Sequence, residues 1–238
     1  MHARPAGAKF CRYTRLIKAT FTGIPTLFYS PGLIFLLLQK TFDILIDSFA
    51  KNKIGIAEQF LDDALAIHLV ERLTQLYEQK LLLTGGTGNE NKLTHNKLIR
   101  NDVIYWLDRK HNNVYEDAFL ALIDDFVSHL NSTCYTGITG HEFHFTMYKE
   151  GSFYKRHLDQ FQNDQSRQYS MIIYLNTHWQ DSDGGQLLVY QAGNEYKISP
   201  TSGKGVFFKS SELEHEVLIT NRPRMSITGW LKRDRVIS

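Results

Sequence analysis

Two histidines and one aspartate in the second half of the chain have types and spacing that could support metal chemistry. His157 and Asp159 are two residues apart, and His215 follows much later. Two imidazoles and one carboxylate are the ligand set of the facial triad that holds non-haem Fe(II) and leaves three coordination positions open. On a β-strand, residues i and i+2 point to the same face, so His157 and Asp159 could reach one ion. The pattern predicts an iron site with room for further ligands.

Arg224, a short distance beyond His215, indicates what one of those further ligands is. A guanidinium binds a carboxylate through two parallel hydrogen bonds, which suits the distal carboxylate of 2-oxoglutarate. The charges agree with this prediction. Fe(II), two neutral histidines and ionised Asp159 carry one net positive charge, and bound 2-oxoglutarate changes it to one negative charge. Arg224 restores neutrality, which matters because an unpaired buried charge is unfavourable.

The sequence around Arg224 predicts which side chains share its face. On the predicted strand 224–231, alternate residues point the same way, so Arg224, Ser226 and Thr228 would line a polar interior that Trp230 closes. Arg222 has the same parity and is the alternative to Arg224. It precedes Pro223 and is expected to lie outside the strand, which favours Arg224.

Composition limits the remaining possibilities. The chain has 238 residues, 42% hydrophobic and 22% charged, as in an ordinary globular domain. A net charge of +2 gives no global field that would attract nucleic acid. Cys11 and Cys134 are the only cysteines, so the chain has neither a zinc-finger spacing nor a disulfide framework. We therefore expect a cytoplasmic location.

Residues 1–40 differ from the rest and are predicted to be an N-terminal extension. They are basic at first and then apolar, but Pro25 and Pro31 interrupt the apolar stretch. The continuous run 33–38 is much shorter than the roughly 20 apolar residues that a spanning helix needs. No stable membrane span is expected. A targeting or membrane-associated segment and a disordered extension leading into a first helix both stay open.

Residues 41–238 are predicted to form one domain with helices first and strands second. Apolar spacing indicates helices around Phe42–Phe49, from Asp62 or Asp63 to Tyr77, and at Tyr115–Leu130. These belong to a helical support, residues 41–135. Short apolar segments separated by turns then fill residues 140–238. This order favours an α+β fold with a jelly-roll barrel, a double-stranded β-helix whose interior can hold a metal.

The residues from Tyr148 to Trp230 also match a known family. The matched motifs are 148–159, 172–176, 179–187, 198–208, 214–217 and 224–230, in the same order and spacing. The chain resembles the Fe(II)/2-oxoglutarate dioxygenases of the prolyl 4-hydroxylase type, particularly oxygen-sensing prolyl hydroxylases and their bacterial counterparts. The segment 99–106 resembles the part that follows the mobile substrate loop of these enzymes, which would place a lid at Leu83–Asn91.

The resemblance implies a role for each matched residue. Iron would be held by His157, Asp159 and His215, with no catalytic residue beyond the metal centre. Arg224 and the Tyr174 hydroxyl would bind the distal carboxylate of 2-oxoglutarate. Tyr148 and Trp230 would lie near the cosubstrate, and Arg100 would line the substrate channel. Asp102 and Arg167 would form an ion pair that ties the lid to the barrel.

The implied reaction is decarboxylation of 2-oxoglutarate to succinate coupled to hydroxylation of a prolyl residue in a protein or peptide. Fe(II), 2-oxoglutarate and O2 are required, and ascorbate is the expected reductant. Two alternatives stay open. The same chemistry could act on nucleic acid or a free amino acid, although no basic groove is evident. The barrel could also serve as a non-catalytic sensor or binding module.

Overall fold

The computed structural model describes residues 31–86, 98–160 and 165–234. Within these ranges the helices are α1 (Pro31–Asn52), α2 (Asp63–Glu78) and α3 (Val114–Cys134). Short strands lie between them: β1 (Ile54–Ala57), β2 (Leu83–Thr84) and β3 (Val103–Trp106). After α3 come β4 (Gly140–Tyr148), β5 (Tyr154–His157), β6 (Arg167–Tyr174), β7 (Leu187–Gln191), β8 (Asn194–Ile198), β9 (Gly205–Lys209), β10 (Glu214–Val217) and β11 (Arg224–Lys232).

The strands form two antiparallel sheets. The larger sheet has the order β1-β9-β6-β11-β4-β3-β2, and the smaller sheet has the order β5-β10-β7-β8. Strands distant in sequence are neighbours in both sheets, as expected for a jelly roll rather than a simple meander. The predicted α+β fold with a double-stranded β-helix is confirmed. It places β11 between β4 and β6, in the interior of the larger sheet.

The three helices support the larger sheet from outside the barrel. Phe42 of α1 and Phe126 of α3 pack edge to face, and Phe126 also contacts Phe207 of β9. Asp62, one of the two candidates that the sequence offered with Asp63, caps α2 by accepting a hydrogen bond from the Leu65 amide at 2.9 Å. A second apolar cluster lies on the barrel side and includes Val189, Val206 and other buried residues. The sheet that carries Arg224 is therefore fixed on both faces.

Helix α1 is longer than the sequence predicted. It begins at Pro31, because proline is tolerated at the first helical position, where its missing N–H breaks no hydrogen bond. Its first turns expose Leu36 and Leu37, whereas Phe42 is buried. The predicted boundary after residue 40 lies inside this helix, and residues 1–30 lie outside the described residues. None of the described helices combines the length and apolarity required to cross a membrane.

Gly229 lies opposite Phe143 in the antiparallel pair of β11 and β4, and it tests this packing. A Cβ atom there would lie too close to the Glu142 carbonyl and the Phe143 ring to fit without movement. We predict that Gly229→Ala lowers the free energy of unfolding by about 1–3 kcal/mol, the usual effect of overpacking. Urea denaturation measures it. Gly140→Ala is the matched control, since nothing lies within 4 Å of a Cβ at Gly140. Equal stabilities of the two variants would contradict the described register.

Candidate active site

The smaller sheet brings the three predicted metal ligands together. His157 on β5 is the direct cross-strand partner of His215 on β10, and their ring centroids are 4.3 Å apart. Asp159 lies 3.5 Å from His157 Nε2 through Oδ1 and 3.7 Å from His215 Nε2 through Oδ2. One ligand atom from each residue lies within 4.8 Å of the others. The arrangement offers two nitrogens and one carboxylate to a single ion.

The prediction that His157 and Asp159 share a strand is wrong, because β5 ends at His157. Asp159 follows in the bend after the strand, and its side chain is only 10% exposed. Burial alone would raise the pKa of Asp159, but His215 and His157 outweigh it and hold that pKa below its ordinary value. The carboxylate is therefore ionised, as metal ligation requires.

Both imidazoles are oriented by backbone carbonyls. The Nδ1 atom of His157 lies 2.7 Å from the Lys155 carbonyl oxygen, and that of His215 lies 3.0 Å from the Leu213 carbonyl oxygen. Each Nδ1–H donates to its carbonyl, so Nε2 is the ring nitrogen that faces Asp159 and that a metal would bind. Burial lowers the pKa of His215 to about 4, so its ring is neutral at physiological pH.

Arg224 is buried at the start of β11 and is 1% exposed. Its Nε donates to the Gly185 carbonyl at 2.8 Å. Its guanidinium carbon lies 5.0 Å from the ring centroids of both Tyr148 and Tyr174. Gly185 has a positive φ of 62°, and a Cβ there would lie 3.1 Å from the Arg224 side chain. The turn at Gly185 is thus part of the site, a role that the sequence analysis missed.

Two buried donors, one on Arg224 and one on the adjacent Tyr174, have no acceptor in the part of the chain that the structure describes. Among the described residues, the buried Arg224 Nη2 and Tyr174 hydroxyl have no hydrogen-bond partner. Burial raises the pKa of Tyr174 although the Arg224 charge opposes the shift, so the hydroxyl keeps its proton. Buried donors without acceptors are rare, since each costs about 1–3 kcal/mol. A carboxylate accepting from both would remove that penalty, so these residues fit 2-oxoglutarate.

Arg222 and Arg224 differ as the sequence predicted. Arg222 precedes β11, its side chain is 43% exposed, and its Nη1 lies 3.3 Å from the Asp183 carboxylate. Along β11, Arg224, Thr228 and Trp230 line the same cavity as the metal ligands. The remaining lining residues are Arg100, His144, Thr146, Tyr148, Tyr154, Ile172, Leu187 and Val217.

The predicted ion pair between Asp102 and Arg167 is wrong. Asp102, fully buried, receives two hydrogen bonds from Arg100, at 2.7 and 2.5 Å. Arg167 instead pairs with Glu142 at 2.8 Å, and its guanidinium lies 3.4 Å from the Trp230 ring centroid. Arg100 thus bonds to an acid two residues away in sequence, and Arg167 bonds to an acid on β4, on the other side of β11. The predicted lid, Leu83–Asn91, is described only as far as residue 86.

His144 lines the cavity from β4, although its place in the site was not predicted from the sequence. Its Nδ1 lies 3.1 Å from the Phe145 carbonyl oxygen, and its ring contacts Trp106 and Trp230 at centroid distances of 5.0 and 5.6 Å. Burial, reinforced by the Arg100 charge, lowers the pKa of His144 to about 4. The sequence could have predicted this, because His144 and Tyr148 are an even number of residues apart on β4 and therefore point to the same, inward face.

The two buried histidines predict acid sensitivity of the metal-free protein. His144 and His215 have pKa values of about 4 when folded, against an ordinary 6.5. Unfolding lets them take up protons, so their contribution to stability is complete above pH 6.5 and is lost as the pH falls toward 4. The free energy of unfolding should drop by roughly 2 kcal/mol for each histidine between pH 7.5 and pH 5.

Urea denaturation across this pH range measures the drop. His144→Leu should remove about half of it. His178→Asn, at an exposed position, should leave it unchanged. If the free energy of unfolding of His144→Leu falls with pH as much as that of the wild type, the neutral, buried state of His144 is contradicted.

The comparisons with known proteins agree with this geometry. Residues 143–232 match the model of the 2OG-Fe(II) oxygenase superfamily. A prolyl-4-hydroxylase from Pseudomonas putida is 33% identical, covering 83% of this chain and 100% of its own, with a TM-score of 0.72. A Trichoplax adhaerens prolyl hydroxylase, in complex with a hypoxia inducible factor peptide, is 24% identical with a TM-score of 0.76, covering 84% of this chain and 92% of its own; it shares the fold. The chain therefore belongs to the 2OG-Fe(II) oxygenase superfamily and, within it, to the prolyl 4-hydroxylase type.

Proposed function

We propose that this protein hydroxylates a prolyl residue of a protein or peptide, using Fe(II), 2-oxoglutarate and O2. The observation that carries the proposal is one cavity lined by both a His–Asp–His group and a buried arginine. The 33% identity to a prolyl-4-hydroxylase over 83% of this chain supports it. When bound, Fe(II) and 2-oxoglutarate together activate O2 for oxygen insertion into a substrate C–H bond, with release of succinate and CO2.

The proposed roles of the residues follow from their contacts. His157 and His215 bind iron through Nε2, and Asp159 binds it through its carboxylate. Arg224 and the Tyr174 hydroxyl bind the distal carboxylate of 2-oxoglutarate, because both have donors without an acceptor in the described part of the chain. The Tyr148 ring packs beside the Arg224 guanidinium in a buried position where Arg224 is only 1% exposed. The fold thereby supplies position, charge balance and a dry environment.

The aromatic residues at and beside the cavity are evidence for a prolyl substrate. The Trp106 and Trp230 rings lie 6.3 Å apart, and Trp106 is 44% exposed. The exposed Trp106 ring, beside the Trp230 ring that lines the cavity, offers apolar area to a small saturated ring such as that of proline. The Trichoplax prolyl hydroxylase is bound to a peptide, and we extend that mode of binding to this chain as part of the proposal. We also propose Trp230, Arg100 and Arg167 as residues close to the substrate.

The alternative substrates have less support. A nucleic-acid oxygenase needs cations free to bind phosphates, but Arg100, Arg156 and Arg167 near the cavity pair with Asp102, Glu214 and Glu142. A non-catalytic module would normally lack a ligand, and here all three are present together. Residues 41–238 as the catalytic domain, a cytoplasmic location and ascorbate as the reductant belong to the proposal as well.

The direct test is oxygen transfer to proline. The full chain would be incubated with Fe(II), 2-oxoglutarate, ascorbate and 18O2, together with proteins of a cell lysate or a panel of proline-containing peptides. We expect succinate release and one 18O atom on a prolyl residue, both absent in Asp159→Ala. Labelling of another residue type or a nucleobase would contradict the prolyl assignment. Unchanged turnover in Asp159→Ala would contradict the metal site.

Comparing Arg224 with Arg222 tests the cosubstrate site. Removing one partner of a buried, hydrogen-bonded charge pair costs about 2–5 kcal/mol. Arg224→Ala should therefore raise the 2-oxoglutarate concentration for half-maximal succinate release by about 100-fold. Arg222→Ala, at an exposed position beside Asp183, should change it less than about twofold, since exposed pairs contribute little. The reverse order of effects would assign the role to Arg222.

A further inference from the structure

Three side chains stack in a row at the edge of the proposed metal site. The rings of Tyr154 and His157 are nearly parallel, at 14°, with centroids 3.6 Å apart. The Arg100 guanidinium carbon lies over the same tyrosine ring, 4.3 Å from its centroid. Two groups this close to one ring cannot share a face without overlapping. Tyr154 is therefore held between Arg100 and His157.

Arg100 is itself held in place. Its Nε and Nη2 donate to the two carboxylate oxygens of Asp102, which is fully buried. Its third nitrogen, Nη1, donates to the Gly86 carbonyl at 3.1 Å. A planar guanidinium fixed at all three nitrogens has little freedom to rotate. Arg100 can therefore act as a rigid support for the Tyr154 ring.

The backbone joins the same two segments. Arg100 and Tyr154 form an isolated antiparallel bridge, and the Lys155 amide donates to the Ile99 carbonyl at 2.9 Å. On the other side, the Gly85 amide donates to the Asp102 carbonyl at 2.9 Å. A Cβ at Gly85 would lie only 2.8 Å from the Arg100 guanidinium and the Asp102 carboxylate. The chain at residues 85–86 is thus packed directly against the support.

His157 needs such a support, because its backbone hydrogen bond fixes only one edge of the ring. The Nδ1 atom lies 2.7 Å from the Lys155 carbonyl oxygen, which sets the direction of Nε2. Rotation about that hydrogen bond would still tilt the ring plane away from Asp159. The stacked face of Tyr154 opposes that tilt. Groups that orient a metal-binding histidine in this way commonly change metal affinity by 10–100-fold.

We propose that Arg100 is a positioning residue for metal binding, acting through Tyr154 on His157. The proposal rests on the metal site of the proposed function and adds to it a connection between the metal centre and residues 85–86. Such a connection is reciprocal: if packing at residues 85–86 favours metal binding, metal binding equally stabilises that packing. The role is separate from any contact of Arg100 with substrate.

Binding of Co(II) to the metal-free full chain tests this without turnover. Arg100→Lys keeps a positive charge beside buried Asp102 but removes the flat, bidentate group, and Tyr154→Leu removes the ring. Each should weaken Co(II) binding by about 10-fold. Tyr154→Phe keeps the ring and should bind Co(II) as the wild type does. The double variant Arg100→Lys/Tyr154→Leu should bind Co(II) no more weakly than Tyr154→Leu alone, because Arg100 acts only through the Tyr154 ring.

A second measurement follows hydrogen exchange at the Gly85 amide. Adding Co(II) should slow this exchange in the wild type and leave it unchanged in Tyr154→Leu. Wild-type Co(II) affinity in both Arg100→Lys and Tyr154→Leu would overturn the proposal, as would additive losses in the double variant. If the wild type binds Co(II) no better than Asp159→Ala, the metal site of the proposed function fails too. If Asp159→Ala is the only variant that loses Co(II) affinity, the metal site stands and only the positioning role of Arg100 is rejected.

Discussion

The buried positive charge of Arg224 is the constraint on which the rest of the site depends. In residues 31–86, 98–160 and 165–234, its guanidinium has a carbonyl and two tyrosine rings as neighbours but no carboxylate. A buried charge without a counter-charge is strongly unfavourable, so the cavity favours an anion. With ionised Asp159, neutral histidines and a divalent metal, a dicarboxylate makes the whole site neutral. Charge balance therefore links the two ends of the cavity.

Each of the two sheets carries one part of the site. The larger sheet carries Arg224 in an interior strand, flanked by Tyr148 on β4 and Tyr174 on β6. The smaller sheet carries His157 and His215 as direct partners on β5 and β10. The helices pack on the outside of the larger sheet, and the barrel interior is left for the site. The arginine is thereby fixed by a rigid strand, and the metal ligands converge on it from the opposite wall.

Much of this could be predicted from sequence, because alternation along a strand is a local property. Alternation predicted that Arg224, Ser226, Thr228 and Trp230 share the inward face of β11. Arg224, Thr228 and Trp230 line the cavity, whereas Ser226 is buried and is not among its lining residues. The start of α2 could be limited to Asp62 or Asp63 for the same reason, since the cap depends on residues three apart, and the structure selects Asp62. The family motifs added the order of the ligands, which local patterns alone do not give.

The errors concern features that depend on register and on the ends of elements. Arg167 on β6 pairs with Glu142 on β4 because both strands are aligned by β11, which lies between them. The sequence does not reveal that alignment. Asp159 lies beyond the end of β5, which the i, i+2 pattern could not show. Pro31 looked like an interruption and is instead the start of α1. The support of His157 by Tyr154 and Arg100 likewise requires three segments to be seen together.

The most direct test of the account is whether the cavity selects for the distal carboxylate. The dissociation constants of 2-oxoglutarate and 2-oxopentanoate, in which a methyl group replaces that carboxylate, can be compared on the Fe(II)-loaded full chain without O2. The account predicts that 2-oxoglutarate binds about 100-fold more tightly, because only it neutralises Arg224. Equal affinities would contradict the central role of the buried arginine charge.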